Sequence, residues 1–269
     1  PSRQDGVAGV DANRNWGFSW GNTTNKEYER HLHDPCSEVF IGPSSFAEPE
    51  IRAIAEYMRS RQESSSGYVA AFLDYHSAAQ KLLPPWAYTA SAPANPDGAY
   101  QAGLTDVMVT AFRHSSGRVF RAGADEFPPD PGTGPDWAYG VLGIRATMTV
   151  ELEGSRGWSS SQFFCLASSE IKSVGKEQFA GLLAIAAYLK EHGSEPVNRH
   201  WTSKEILMDD GSPGNGLVCL LAAVVACFPF AGGLAYRYRN YCRKGARRSA
   251  NRAQDSLEMG LRCDGTPLD

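Results

Sequence analysis

Residues 68–75 read YVAAFLDY, an uninterrupted apolar run but for Asp74, and they lead directly into His76. A run this short, bounded by polar residues and carrying two tyrosines, a phenylalanine and a valine, predicts a strand. A second strand is predicted over Ile144–Glu151, where Ile144, Ala146, Met148 and Val150 alternate with Arg145, Thr147, Thr149 and Glu151. The short apolar run Gly6–Val10 suits a third. Between them, Pro49 opens the helical segment EIRAIAEYMRSR with Ile51, Ile54, Ala55 and Met58 on one stripe. Further helices are predicted near Tyr100–Arg113 and from about Lys176 until Gly193 stops the last one. Strands alternating with helices imply an α/β fold, with a mixed, mostly parallel sheet sandwiched between helices.

Each predicted strand ends in side chains able to do chemistry. Asp11, Asn13 and Arg14 follow the first, His76 follows the second, and Glu151 closes the third. Ligands of open α/β sheets bind outside the carboxyl ends of the strands, so these residues are expected to share one crevice. Taken singly they are ordinary, since Asn and Asp are common turn residues and a lone His is more often packed than ligating.

The 269-residue chain is 42% hydrophobic and 11% aromatic, as a globular core requires. Its formal charge of -4 is unevenly divided: residues 237–269 hold eight Lys/Arg and four Asp/Glu, leaving an acidic body upstream. An acidic body offers no electrostatic footprint for nucleic acid, which is not expected as a partner. From Gly216 to Tyr236 the sequence is GLVCLLAAVVACFPFAGGLAY, without a charge and long enough to cross a membrane as one helix. Arg237, Arg239, Arg243, Lys244, Arg247 and Arg248 follow it, so the positive-inside rule puts the tail in the cytoplasm. The predicted organisation is a globular part at 1–193, a stalk at 194–214, a transmembrane helix at 215–236 and a basic cytoplasmic tail at 237–269. That organisation implies a single-pass membrane protein whose globular part is expected to be extracellular or lumenal. Of the six cysteines, only Cys36 and Cys165 lie in the globular part, and spacing alone does not say whether they pair.

The wording of the motifs narrows the chemistry. VDANRNW at 10–16, Cys36-Ser37-Glu38, FAEPE at 46–50, LDYHSAAQKLLPP at 73–85, DWAY at 136–139 and TVELEG at 149–154 follow one another in an order that resembles the zinc carboxypeptidase family, from about Val7 to about Gly193. The resemblance implies a metallocarboxypeptidase that uses Zn2+ to hydrolyse the C-terminal peptide bond of peptides and proteins. It implies that His76 is a metal ligand and that Glu151 is the general base toward a zinc-activated water. Asn13 and Arg14 would grip the substrate's terminal carboxylate, for which a guanidinium fork is suited. Asp11 would orient a histidine ligand from behind.

Departures accompany the likeness. The family's first ligand pair, H-x-x-E, and an oxyanion arginine precede the VDANRNW segment and lie outside this sequence, so one ligand remains where catalytic zinc needs three. The chain is therefore expected to be the C-terminal two-thirds of a catalytic domain, lacking the first strands of its sheet and inactive alone. His31-Leu32-His33-Asp34 offers a substitute metal group but is expected to be a solvated loop. The family's mobile tyrosine falls at Phe127 or Pro128, which leaves Tyr139 as one replacement for its hydroxyl. Val7 replaces the family's cysteine partner of Cys36, so that bridge is expected to be absent. Pro135 stands where the family tunes side-chain preference and implies an apolar lean. The alternative to an enzyme is an inactive carboxypeptidase-like ectodomain that binds peptide C-termini.

Overall fold

The computed structural model describes residues 9–23, 25–64, 67–89, 95–123, 129–154, 166–197 and 218–219. Its two longest strands, β2 (Ala71–Ser77) and β5 (Ala146–Leu152), run parallel and pair from Ala71↔Ala146 to Ser77↔Leu152. A third strand, β3 (Lys81–Leu83), runs antiparallel beside β5, and β4 (Arg121–Ala122) pairs parallel with β3. The sheet order is β2-β5-β3-β4, so it is mixed, and two of its three pairings are parallel. The predicted run 68–75 breaks at Ala70 into β1 (Tyr68–Val69) and β2, and β2 continues through His76 to Ser77.

Strand alternation separates two cores. Leu73, Met148, Val150 and Leu152 face α3 (Gly98–Ser116) and α5 (Ile171–His192), packing with Leu104, Met108, Phe112, Ile185 and Leu189. Phe72 faces the other way, toward Trp16, Phe18, Trp86 and Trp137, with Ile51, Ala55 and Met58 of α2 (Pro49–Gln62). The helical stripe read in the sequence is therefore the buried face of α2. The sheet lies between α3 and α5 on one side and α2 and α4 (Gly134–Gly140) on the other. Glycine closes α3 and α5: Gly117 and Gly193 both take positive φ at the C-caps.

Several expectations change. Gly9 and Val10 belong to no regular element, and Gly6–Ala8 lie outside the described residues, so no strand is seen before Asp11. His31–Asp34 is not a loop. It ends α1 (Lys26–His33), which Asn25 caps by accepting hydrogen bonds from the backbone N–H of Glu27 at 3.0 Å and Tyr28 at 3.1 Å. A fully buried Leu32 pins that helix. His31 and His33 are exposed and two residues apart on it, so they do not share a face.

The predicted transmembrane span lies outside the described residues except for Val218 and Cys219. These two are extended, as β6, and pair in parallel with Tyr68 and Val69. No helix among the described residues is long and apolar enough to cross a membrane. The basic tail and nearly all of the stalk also lie outside the described residues. Cys36 is disulfide-bonded, although Val7 removes the family's partner, and its mate is not among the described side chains.

Candidate active site

The parallel register makes His76 and Glu151 direct neighbours at the carboxyl ends of β2 and β5. Side chains alternate along a strand, so Phe72, Asp74 and His76 share the face of Thr147, Thr149 and Glu151. That face is buried under aromatic rings near Phe72 and opens toward the strand ends, where Asp74, His76 and Glu151 are half-buried.

The segment after Val10 closes over this rim. Ala12–Arg14 form a 3-10 turn, and the Asp11 carboxylate accepts from the Asn13 backbone N–H at 2.9 Å. Asn15 fixes the turn from below: its amide donates to the carbonyls of Ile41 at 2.7 Å and Ser44 at 2.8 Å, and its Oδ1 accepts from Glu48 N–H at 3.0 Å. Gly132 lets the turn lie against the residues before α4. It has φ +78°, and a Cβ there would meet the Arg14 carbonyl oxygen at 2.5 Å. Asn13 then spans the two layers, its Nδ2 3.0 Å from His76 Nε2 and its Oδ1 accepting from Gly134 N–H at 2.9 Å.

His76 Nε2 also lies 2.9 Å from Asp74 Oδ2, two residues back on the same strand face. Burial disfavours the imidazolium, but the Asp74 hydrogen bond and the charges of Asp74, Glu151 and Asp11 outweigh it and hold the His76 pKa above its usual value. Burial likewise pushes the Glu151 carboxyl up, against the attraction of His76. A carboxylate raised in this way is better matched to taking a proton near neutral pH than a free one.

Arg14 sits beside this pair with its side chain 13% exposed. Its NH2 is 2.8 Å from Asp130 Oδ2, its NH1 donates to the Asn13 carbonyl at 3.0 Å, and its Nε donates to the Tyr28 hydroxyl at 3.3 Å. The Tyr28 hydroxyl in turn donates to Asp130 Oδ1 at 2.6 Å. Burial raises the Tyr28 pKa to about 12, so the phenol stays protonated. Asp11 is farther from the guanidinium, at 4.0 Å. Its carboxylate serves the turn, whereas the carboxylate on His76 is that of Asp74.

The structure thus gathers Asp11, Asn13, Arg14, His76 and Glu151 at one rim, and adds Asp74, Tyr28 and Asp130. Tyr139 is not available there: its hydroxyl is held in the core between Asn95 Oδ1 at 2.6 Å and Asp97 Oδ2 at 2.8 Å, its one proton shared between them. Phe127 and Pro128 lie outside the described residues.

The zinc carboxypeptidase family model matches residues 1–181. The chain belongs to the zinc carboxypeptidase family. Mast cell carboxypeptidase A of Rattus norvegicus is 31% identical over 186 residues, covering 69% of this chain and 42% of that protein. Carboxypeptidase A1 of Rattus norvegicus is 34% identical over 188 residues, covering 68% and 40%. Among solved structures, carboxypeptidase A from Helicoverpa armigera superposes with a TM-score of 0.59 at 23% identity, covering 70% of this chain and 44% of that one. Bovine thrombin-activatable fibrinolysis inhibitor, in complex with tick carboxypeptidase inhibitor, does so at 0.58 and 24%, covering 70% and 60%. The two structural likenesses show the fold. The chain spans 42% of the mast cell enzyme and 40% of carboxypeptidase A1, well under half of each.

Membership implies zinc, and the donor set tests that implication. Among the described residues no group of three or more His, Cys, Asp or Glu side chains is placed to hold a metal ion. Catalytic zinc takes three protein ligands and an open position, and His76 offers one. The described residues do not make a zinc site by themselves.

Proposed function

We propose that this chain is the C-terminal part of a metallocarboxypeptidase catalytic domain that removes residues from peptide C-termini. The observation that carries the reading is the pairing of His76 with Glu151 across two parallel strands, with Asn13 bridging from His76 to the turn that holds Arg14. Glu151 takes a proton from the attacking water and returns it to the departing amine as the peptide C–N bond breaks. Arg14 and Asn13 seat the terminal carboxylate, and that grip limits cleavage to the last bond. His76, oriented by Asp74, would supply one ligand to Zn2+, and further ligands would have to come from outside the described residues. Consistent with a larger domain, the first half of β2, Ala71–Leu73, is buried although the strand has a partner on one side only among the described residues.

The uncharged run Gly216–Tyr236 and the cations after it support a single-pass anchor, with this domain extracellular or lumenal and the tail cytoplasmic. The incomplete ligand set favours a second reading, an inactive ectodomain that binds peptide C-termini. Arg14→Ala in the full-length protein separates both readings from an unrelated role. Loss of about 2–5 kcal/mol in binding a free peptide carboxylate is expected, with little change toward the corresponding amide. Equal losses for acid and amide would remove the carboxylate seat. Zinc content is the companion measurement, since His76→Ala should lower it and an undiminished complement would undo the ligand assignment.

A further inference from the structure

Arg14 is already occupied. Its NH2 meets Asp130 at 2.8 Å, and both its remaining nitrogens have oxygen partners in Tyr28 and the Asn13 carbonyl. With Asp11 at 4.0 Å, two carboxylates surround one guanidinium. A peptide carboxylate arriving there is a third anion at a single cation, in a pocket where Arg14 is 13% and Asp130 20% exposed. Charge-assisted bonds are strong and like charges repel strongly where water is scarce, so the newcomer must replace a resident. Asp130 is placed for exchange. It lies between Pro129 and Pro131 on the segment leading into Gly132, and the Tyr28 hydroxyl can keep hold of Oδ1 when Oδ2 leaves the guanidinium.

Resting on the reading of Arg14 as the carboxylate seat, we infer that Asp130 is an internal mimic of the substrate's terminal carboxylate. It is a specificity-determining gate that a peptide must displace. The gate raises the threshold for binding: weakly held acids fail to displace Asp130, and peptides with further contacts along their length succeed. Tyr28 is its positioning residue, bonded to both members of the pair.

The test is calorimetric titration of the full chain, as wild type, Asp130→Asn and Tyr28→Phe, with N-acetyl-phenylalanine, its amide and N-acetyl-lysine. Asp130→Asn should bind both free acids about tenfold more tightly and leave the amide unchanged. Tyr28→Phe, which frees Asp130 without removing its charge, should shift affinity for the acids by a smaller factor. Equal affinity in wild type and Asp130→Asn would leave the carboxylate seat standing and remove the gate. A loss confined to the lysine probe would remove it too, making Asp130 a selector of cationic side chains. Absence of acid binding in every variant would remove the seat itself, and the gate with it. Should Asp130→Asn fail to fold, tighter binding of both acids by Tyr28→Phe would support the gate, and unchanged or weaker binding would remove it.

Discussion

Two arginines in this molecule live among carboxylates, and they do different things. Arg118 sits beyond the end of β5, with Nε on Glu153, NH2 2.9 Å from Glu170 and NH1 3.4 Å from Glu177. Its side chain is 11% exposed and that of Glu177 only 1%, and Ser116 also donates to Glu177. These bonds tie the loop after α3 to the sheet and to the start of α5. Arg14 has similar exposure, but its partners are a hydroxyl, a carbonyl and a carboxylate at the edge of a crevice, beside His76 and Glu151. Burial and pairing are common to both. What separates a structural arginine from a candidate for binding is whether its partners can be exchanged and what chemistry stands next to it.

The comparison can be broken by substitution. Arg118→Ala removes the cation that joins Glu153, Glu170 and Glu177, the last of them 1% exposed, and a loss of about 3–5 kcal/mol in denaturant unfolding is expected. A loss under about 1 kcal/mol would mean that the cluster is a solvated ornament. Arg14→Ala should cost less stability, about 1–2 kcal/mol, because Asp130 keeps its bond from Tyr28 and reaches water. If Arg14→Ala proved the more destabilising, the functional contrast between the two arginines would fall.

Asp136 sharpens the contrast as a carboxylate with burial and no arginine. It is fully buried, accepts hydrogen bonds from the backbone N–H groups of Ala87 and Tyr88, and burial raises its pKa from 3.8 to about 7. An acid that holds its proton more tightly when folded contributes stability that is full below about pH 4 and is lost as pH rises through about 7. Unfolding midpoints measured from pH 4 to 8 should therefore fall for wild type relative to Asp136→Asn. Parallel profiles would show that the two backbone donors suffice to keep the carboxylate ionised.

The framework was largely legible in the sequence because it rests on local periodicity. The alternation through Ile144–Glu151 became β5, and the stripe Ile51, Ala55, Met58 became the buried face of α2. His76 and Glu151 were legible as strand-end residues. Short elements were not: β3 and β4 are held by pairing rather than by pattern, and α1, whose end at His31–His33 was expected to be loop, is a polar segment held by the Asn25 cap and the buried Leu32. Asp130 and Tyr28 carry no sequence signal for a different reason. They stand 102 residues apart, and only the fold brings them to Arg14. Asp74 lies within the LDYHSAAQKLLPP motif, but its contact with His76 Nε2 depends on the strand that puts both side chains on one face.

The central claim is that Glu151, set beside His76 by strand register, moves the proton in peptide hydrolysis. Turnover of a C-terminally free peptide by the full-length protein carrying Glu151→Gln tests it most directly, alongside its zinc content. A fall of about 10²–10⁴-fold with zinc retained is expected; turnover equal to wild type would contradict the account.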